Sequence, residues 1–80
     1  MQFISVKSST IGQIGFEENT IMSLSSKPIN IMRIVFTSGN IFDYYGVDKK
    51  VFEEFVKAES VGKFFHANIK DKYQYEKISN

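Results

Sequence analysis

The sequence predicts an α+β fold: a small antiparallel sheet of three to four strands with two C-terminal helices packed on one face. Three observations predict it. Runs rich in β-branched and aromatic residues fill the first half and amphipathic stretches the second, an order that suits helices gathered on one side of an antiparallel sheet. Ile31–Val47, IMRIVFTSGNIFDYYGV, holds two β-rich runs around a polar break. Asp48 then stands before apolar residues at helical spacing. Eighty residues provide one core, so residues 1–80 form a single domain.

In the first strand Ile14 and Phe16 alternate with Gln13 and Gly15. Glu17, Glu18 and Asn19 interrupt, and Ile21–Leu24 resumes an extended pattern, so this region reads as a first hairpin. Ser23–Asn30, SLSSKPIN, carries the single proline and a serine cluster and should leave the sheet as a turn or exposed excursion. In the central hairpin a loop of Ser38, Gly39 and Asn40, with Asn40 left-handed, sets Thr37 opposite Ile41, Phe36 opposite Phe42 and Ile34 opposite Tyr44. Met32, Ile34, Phe36, Phe42 and Tyr44 then share the core face, while Arg33, Asp43 and Tyr45 point outward. Asp48 caps a helix over Lys49–Ala58, whose apolar stripe is Val51, Phe52, Phe55 and Val56. Val47 packs on Phe52 as a staple, and Lys49, Lys50, Glu53, Glu54 and Lys57 make a solvated face. Ser60 caps a shorter helix over Val61–Asn68, and Ile69–Tyr75 shows no clean period.

An apolar fraction of 42%, with 24% charged and 15% aromatic residues, suits a folded globule. The absence of cysteine excludes disulfides, thiolate metal sites and cysteine nucleophiles. MQFISVK lacks the basic start and apolar run of a signal peptide, and no apolar stretch has membrane-spanning length, so a cytoplasmic protein without a membrane partner is expected. The net charge of +1 gives no general pull on nucleic acid, but lysines gather between Lys63 and Lys77.

Two stretches there carry chemistry. In ESVGK the first turn of the helix offers unpaired amides, Gly62 permits close approach, and Lys63 adds a full charge, a phosphate-binding arrangement built on Ser60, Gly62 and Lys63. Ser60 capping its own helix explains the serine equally well. KDKYQY interleaves Lys70 and Lys72 with Tyr73 and Tyr75, the pairing used to neutralise phosphates and stack bases. One of these tyrosines is expected to pack the tail and the other to be exposed. Arg33 and Tyr45 are further ligand candidates on the outer face, where an ion pair between Arg33 and a diagonal Asp43 competes. His66 is alone, and Glu53 and Glu54 face solvent, so no metal, no cofactor and no catalysis are expected.

With these residues in view, the chain resembles the KTSC family, small domains named for their occurrence at the C-terminus of some lysyl-tRNA synthetases. SSTIGQIGF looks like its opening strand, IMRIVFTSGNIFDYYGV its central hairpin, and VFEEFVKAESVGKFFHANIKDKYQYEKI its helical second half. SLSSKPIN resembles an insertion, Phe42-Asp43-Tyr44 stands where the family has tyrosine-x-tyrosine, and Gln74 where it often has proline. The association with a tRNA enzyme implies RNA binding by analogy.

The expected function is therefore a non-catalytic binding module for RNA or a small nucleotide. A narrower form is a sponge that sequesters a cyclic or ADP-ribose-type signal, as a phage would use, which suits a composition rich in Ile, Lys and Asn. The rival is a protein-interaction or self-assembly module, a homo-oligomer using a sheet edge and exposed aromatics.

Overall fold

A computed structural model describes residues 1–21 and 23–79. It is an α+β domain with five antiparallel strands, β1 (Gln2–Ser5), β2 (Ile11–Thr20), β3 (Ile29–Phe36), β4 (Ile41–Tyr45) and β5 (Tyr75–Lys77), arranged in chain order. Two helices, α1 (Lys49–Lys57) and α2 (Val61–Phe64), follow β4, and α2 continues as a π-helical turn over Phe65–Ile69. Ile11, Ile14, Met32, Ile34 and Tyr44 on one sheet face meet Phe55, Val61, Phe65 and Ile69 from the helices in a single core.

The strand count exceeds the expected three to four because both edge strands are short. β1 has four residues, all exposed, and β5 has three, so neither carries a half-buried alternation to read. The expected first hairpin is also corrected. β2 runs unbroken through Glu17, Glu18 and Asn19, and a bulge between Glu17 and Thr20 accommodates the polar run. Asn19 takes φ 54 there, and its amide donates to Asn30 Oδ1 at 3.1 Å. Ile21, Ser23 and Leu24 lie outside any strand, and Met22, within the expected second strand, lies outside the described residues. The excursion spans 23–28, since Ile29 and Asn30 already belong to β3. Asn30 ties its end down: its carbonyl accepts from Gly46 at 2.8 Å and its Nδ2 donates to the Val47 carbonyl at 2.9 Å.

In the central hairpin the expected faces hold and the expected pairing does not. Ile34 pairs with Phe42 and Arg33 with Asp43, two residues out of the anticipated register. The loop is Thr37–Gly39, not Ser38–Asn40. The Gly39 amide donates to the Phe36 carbonyl at 3.0 Å and the Phe36 amide to the Asn40 carbonyl at 2.9 Å. The left-handed residue is Gly39 at φ 98, as a three-residue loop closing in a bulge requires. A shift of two preserves side-chain parity, so the core face was unaffected.

Asp48 precedes α1 in an extended conformation but makes no side-chain capping bond, and the helix stops at Lys57 with Ala58 outside it. Phe52 stacks on Phe16 at 4.7 Å between ring centroids, and Phe55 on Phe64 at 5.4 Å. The π-helical turn has a reason in the spacing of its anchors. Val61, Phe65 and Ile69 recur every four residues and would drift by roughly 40° per step around an α-helix. The wider turn, closed by the Lys70 amide on the Phe65 carbonyl at 2.8 Å, lets both Phe65 and Ile69 stay in the core.

Replacing Gly39 with Ala should lower unfolding free energy by about 1–2 kcal/mol, because a side chain must then occupy a left-handed position. Asn40→Ala should change it little. Urea denaturation checks both, and the opposite order would contradict the observed loop.

Candidate nucleic-acid interface

The start of α2 folds largely on its own account. Ser60 Oγ accepts the Lys63 amide at 3.3 Å, and the Ser60 carbonyl accepts the Phe64 amide at 3.0 Å, so the serine serves its own helix. Gly62 lies against the turn before β2: a Cβ placed on it would stand 3.6 Å from Thr10 Oγ1 and 3.9 Å from Ser8 Oγ. Those are ordinary contacts, so space does not demand glycine. Ser8 Oγ is itself engaged by the Thr10 and Ile11 amides at 3.2 and 3.3 Å. Beside this corner runs an open groove lined by Ala58, Glu59, Ser60, Lys63, Phe64 and Ala67. Lys63 is exposed, and the Glu59 carboxylate offsets its charge for an arriving anion.

At the far end of the second helical segment the chain turns through Lys70, Asp71 and Lys72, with Asp71 at φ 62 and the Lys72 amide on the Ile69 carbonyl at 3.0 Å. Tyr73 packs against the core. β5 then pairs with β4, Tyr75 opposite Tyr44 and Lys77 opposite Phe42. Opposed residues on antiparallel strands share a face, so Tyr75 and Lys77 stand on the helix-bearing side. The Tyr75 ring lies 5.5 Å from Tyr44 and 5.8 Å from Phe42, yet Tyr75 is 54% exposed. Tyr44 continues the series into Phe65 at 5.9 Å, and Phe65 into exposed His66 at 5.5 Å. The result is an aromatic shelf at the sheet edge with its roots in the core and its outer ring in water. Burial pushes the Tyr44 hydroxyl up to about 12, with nearby Tyr75 and Asp71 adding to it.

Arg33 and Tyr45 lie on the other sheet face. Arg33 grips Asp43 directly across the strands, Nε to Oδ1 at 2.7 Å and its terminal nitrogen to Oδ2 at 3.0 Å. The pair is opposed, not diagonal as the anticipated register had it. Asp43 is 5% exposed, and its hydrogen bond raises the Arg33 pKa. Burial raises the Tyr45 pKa, with Glu76 close enough to add to it. Asp43 and Glu17 thus act on the guanidinium, and Glu76 stands opposite Asp43 beside Tyr45, an acidic setting unsuited to phosphate.

The candidate residues consequently fall in three places. Ser60, Gly62 and Lys63 start the second helical segment, Lys70, Lys72, Tyr73 and Tyr75 follow its end, and Arg33 and Tyr45 occupy the opposite sheet face. Six helical residues, 64–69, lie between Lys63 and Lys70, which puts the two about 10 Å apart along the axis at 1.5 Å per residue. The sequence reading missed Lys77 and the part played by Phe42. Both depend on β5, and the signal available was the alternation of Tyr73, Tyr75 and Lys77 in YQYEK. Among the described residues no three His, Asp or Glu side chains form a metal-holding group, and no helix is long and apolar enough to cross a membrane.

Comparison with known proteins agrees with this fold. The family model for the KTSC domain matches residues 7–73. The crystal structure of a KTSC domain protein from Yersinia pestis superposes with a TM-score of 0.80 at 30% identity, covering 98% of this chain and 97% of that one. Lysine–tRNA ligase of Trichormus variabilis is 43% identical over 44 residues, 55% of this chain and 8% of the ligase. The corresponding ligase of Nostoc sp. is 40% identical over 48 residues, 60% of this chain and 9% of the ligase. The chain therefore spans less than a tenth of the length of these relatives.

The raised Tyr44 pKa has a measurable consequence. Its folded value lies above the ordinary value of 10, so the folded state holds the proton more tightly and stability is lost as pH rises from about 10 through about 12. Tyr44→Phe should flatten that alkaline loss in pH-dependent denaturation, and an unchanged slope would remove Tyr44 as its source.

Proposed function

This chain belongs to the KTSC domain family, and on that footing we propose that it is a non-catalytic module that binds single-stranded RNA across the aromatic shelf of β4 and β5. The carrying observation is Tyr75, 54% exposed and backed by Tyr44 and Phe42. A ring anchored on one side and wet on the other offers a stacking platform to any base. Lys77 shares its face, and Lys70 and Lys72 precede it on an exposed turn where they supply charge for the backbone. Lys63, about 10 Å from Lys70 along the helical segment, gives a further phosphate contact about three stacked bases distant at ~3.4 Å each. The similarity to two enzymes named for tRNA supports RNA as the ligand class.

The shape favours a strand over a small nucleotide held as by a sponge. Small-ligand sites are concave and bury most of their ligand, whereas this shelf is open. A protein-interaction module is the second reading, favoured by β1, where Phe3 and Ile4 are 40% and 43% exposed at a sheet edge.

Fluorescence anisotropy with a short labelled single-stranded RNA tests the first reading. Tyr75→Ala should weaken binding about 5- to 150-fold, the loss of a stacking contact of ~1–3 kcal/mol. Lys72→Ala should weaken it and reduce the salt slope by about 0.7, one phosphate contact on a single strand. Unchanged affinity in Tyr75→Ala would refute the shelf, and tight binding of a free mononucleotide would favour sequestration.

A further inference from the structure

We propose that the groove beside the second helical segment is a base pocket for the same RNA strand, holding one guanine stacked on Phe64 with its Watson–Crick edge at Glu59 and a flanking phosphate at Lys63. The proposal rests on the RNA-binding reading and deepens it, adding a position that reads sequence to a shelf that stacks any base.

Phe64 carries the argument. Its ring lies nearly parallel to that of Phe55, with centroids 5.4 Å apart and planes 16° apart, and Phe55 is fully buried. The core thus fixes one face of Phe64, while the half-buried side chain lines the groove. Tyr75 on Tyr44 shows the same arrangement, an outer ring backed by a core ring. A planar base entering the groove extends the Phe55–Phe64 stack by one ring. Ala58 and Ala67 flank it, and these small side chains leave a groove of about 670 Å³, within the roughly 300–1,000 Å³ of small-molecule pockets. Because the groove is open, a base can enter it while the strand continues outside.

Charge selects the occupant. Glu59 and Lys63 both line the groove, and among the described residues neither forms an ion pair. Lys63 supplies a full charge for phosphate, and the Ser60 hydroxyl, which accepts the Lys63 amide, keeps its own proton to donate to a phosphate oxygen. The ionised Glu59 carboxylate only accepts. Guanine presents two adjacent N–H donors on one edge and so meets both carboxylate oxygens. Uracil has a single N–H between two carbonyls, and adenine and cytosine set their amino group beside a ring acceptor that a carboxylate repels. The amides of Lys63 and Phe64 take no part, since both already bond to Ser60.

Position ties the groove to the shelf. Ala67 stands three residues before Lys70, about 4.5 Å along the axis at 1.5 Å per residue, and Lys70 and Lys72 lead on to Tyr75.

Fluorescence anisotropy of the full chain with labelled hexauridine, and with hexamers carrying one guanosine at each position in turn, tests the proposal. At one position guanosine should tighten binding at least about fivefold over hexauridine, and adenosine there should gain less. Glu59→Gln should abolish that ratio; taking the ratio cancels the general gain from deleting an acidic charge. Phe64→Leu, which keeps an apolar side chain against Phe55, should lower it as well. Tyr75-dependent binding of hexauridine with no guanosine preference at any position would overturn the groove site and leave the shelf standing. A preference that survives Glu59→Gln would place the guanine on the shelf and overturn the groove. Failure of every hexamer to bind would overturn both readings. Free phenylalanine offers a ring, a carboxylate and an ammonium to the same groups, and its saturable binding in calorimetry, lost in Phe64→Leu, would overturn a nucleotide as the occupant.

Discussion

The contact between Arg33 and Asp43 is the constraint on which the sheet depends. Two short bonds, 2.7 and 3.0 Å, join opposed residues at the middle of the fold, and the carboxylate is almost without water. Leaving such a charge buried and alone costs about 3–5 kcal/mol. A slip of one residue between β3 and β4 would turn Arg33 into the core. A slip of two would keep the faces but set Asp43 against Val35. Only the observed register satisfies the ion pair, the apolar face and the left-handed glycine together.

That register also distributes the chemistry. By engaging Arg33, the pair withdraws it from ligand duty and leaves the outer sheet face acidic around Tyr45. The helices cover the other face over β2, β3 and part of β4, where Phe16, Phe36 and Tyr44 meet Phe52 and Phe65. β5 lies at the margin of that layer. Its one large aromatic ring is consequently supported from beneath by Tyr44 and Phe42 and open above, an exposed face obtained without loss of core packing.

Much of the fold was legible in the sequence. The alternation of Met32, Ile34 and Phe36 gave the core face of the hairpin, and Ser60 and Asp48 marked where helices begin. What escaped was short or nonlocal. QFIS and YEK are too brief to show a period, and their strand character comes from pairing with β2 and β4. Glu17–Asn19 read as a turn because a bulge and a turn use the same polar residues. For the candidate site, Tyr75 was identifiable from its lysine-rich surroundings. Its separation from Lys63 and from Arg33 was not, since that depends on helix length and sheet parity combined.

The shelf is the central claim, and ultraviolet crosslinking of bound single-stranded RNA, with mapping of the modified tryptic peptides, tests it most directly. Cleavage after Lys72 and Lys77 isolates YQYEK, the peptide that carries both the shelf tyrosine and its packed neighbour. The account predicts that crosslinks concentrate there. Crosslinks concentrated instead on peptides holding Arg33 or Tyr45 would contradict it and move the interface to the opposite face of the sheet.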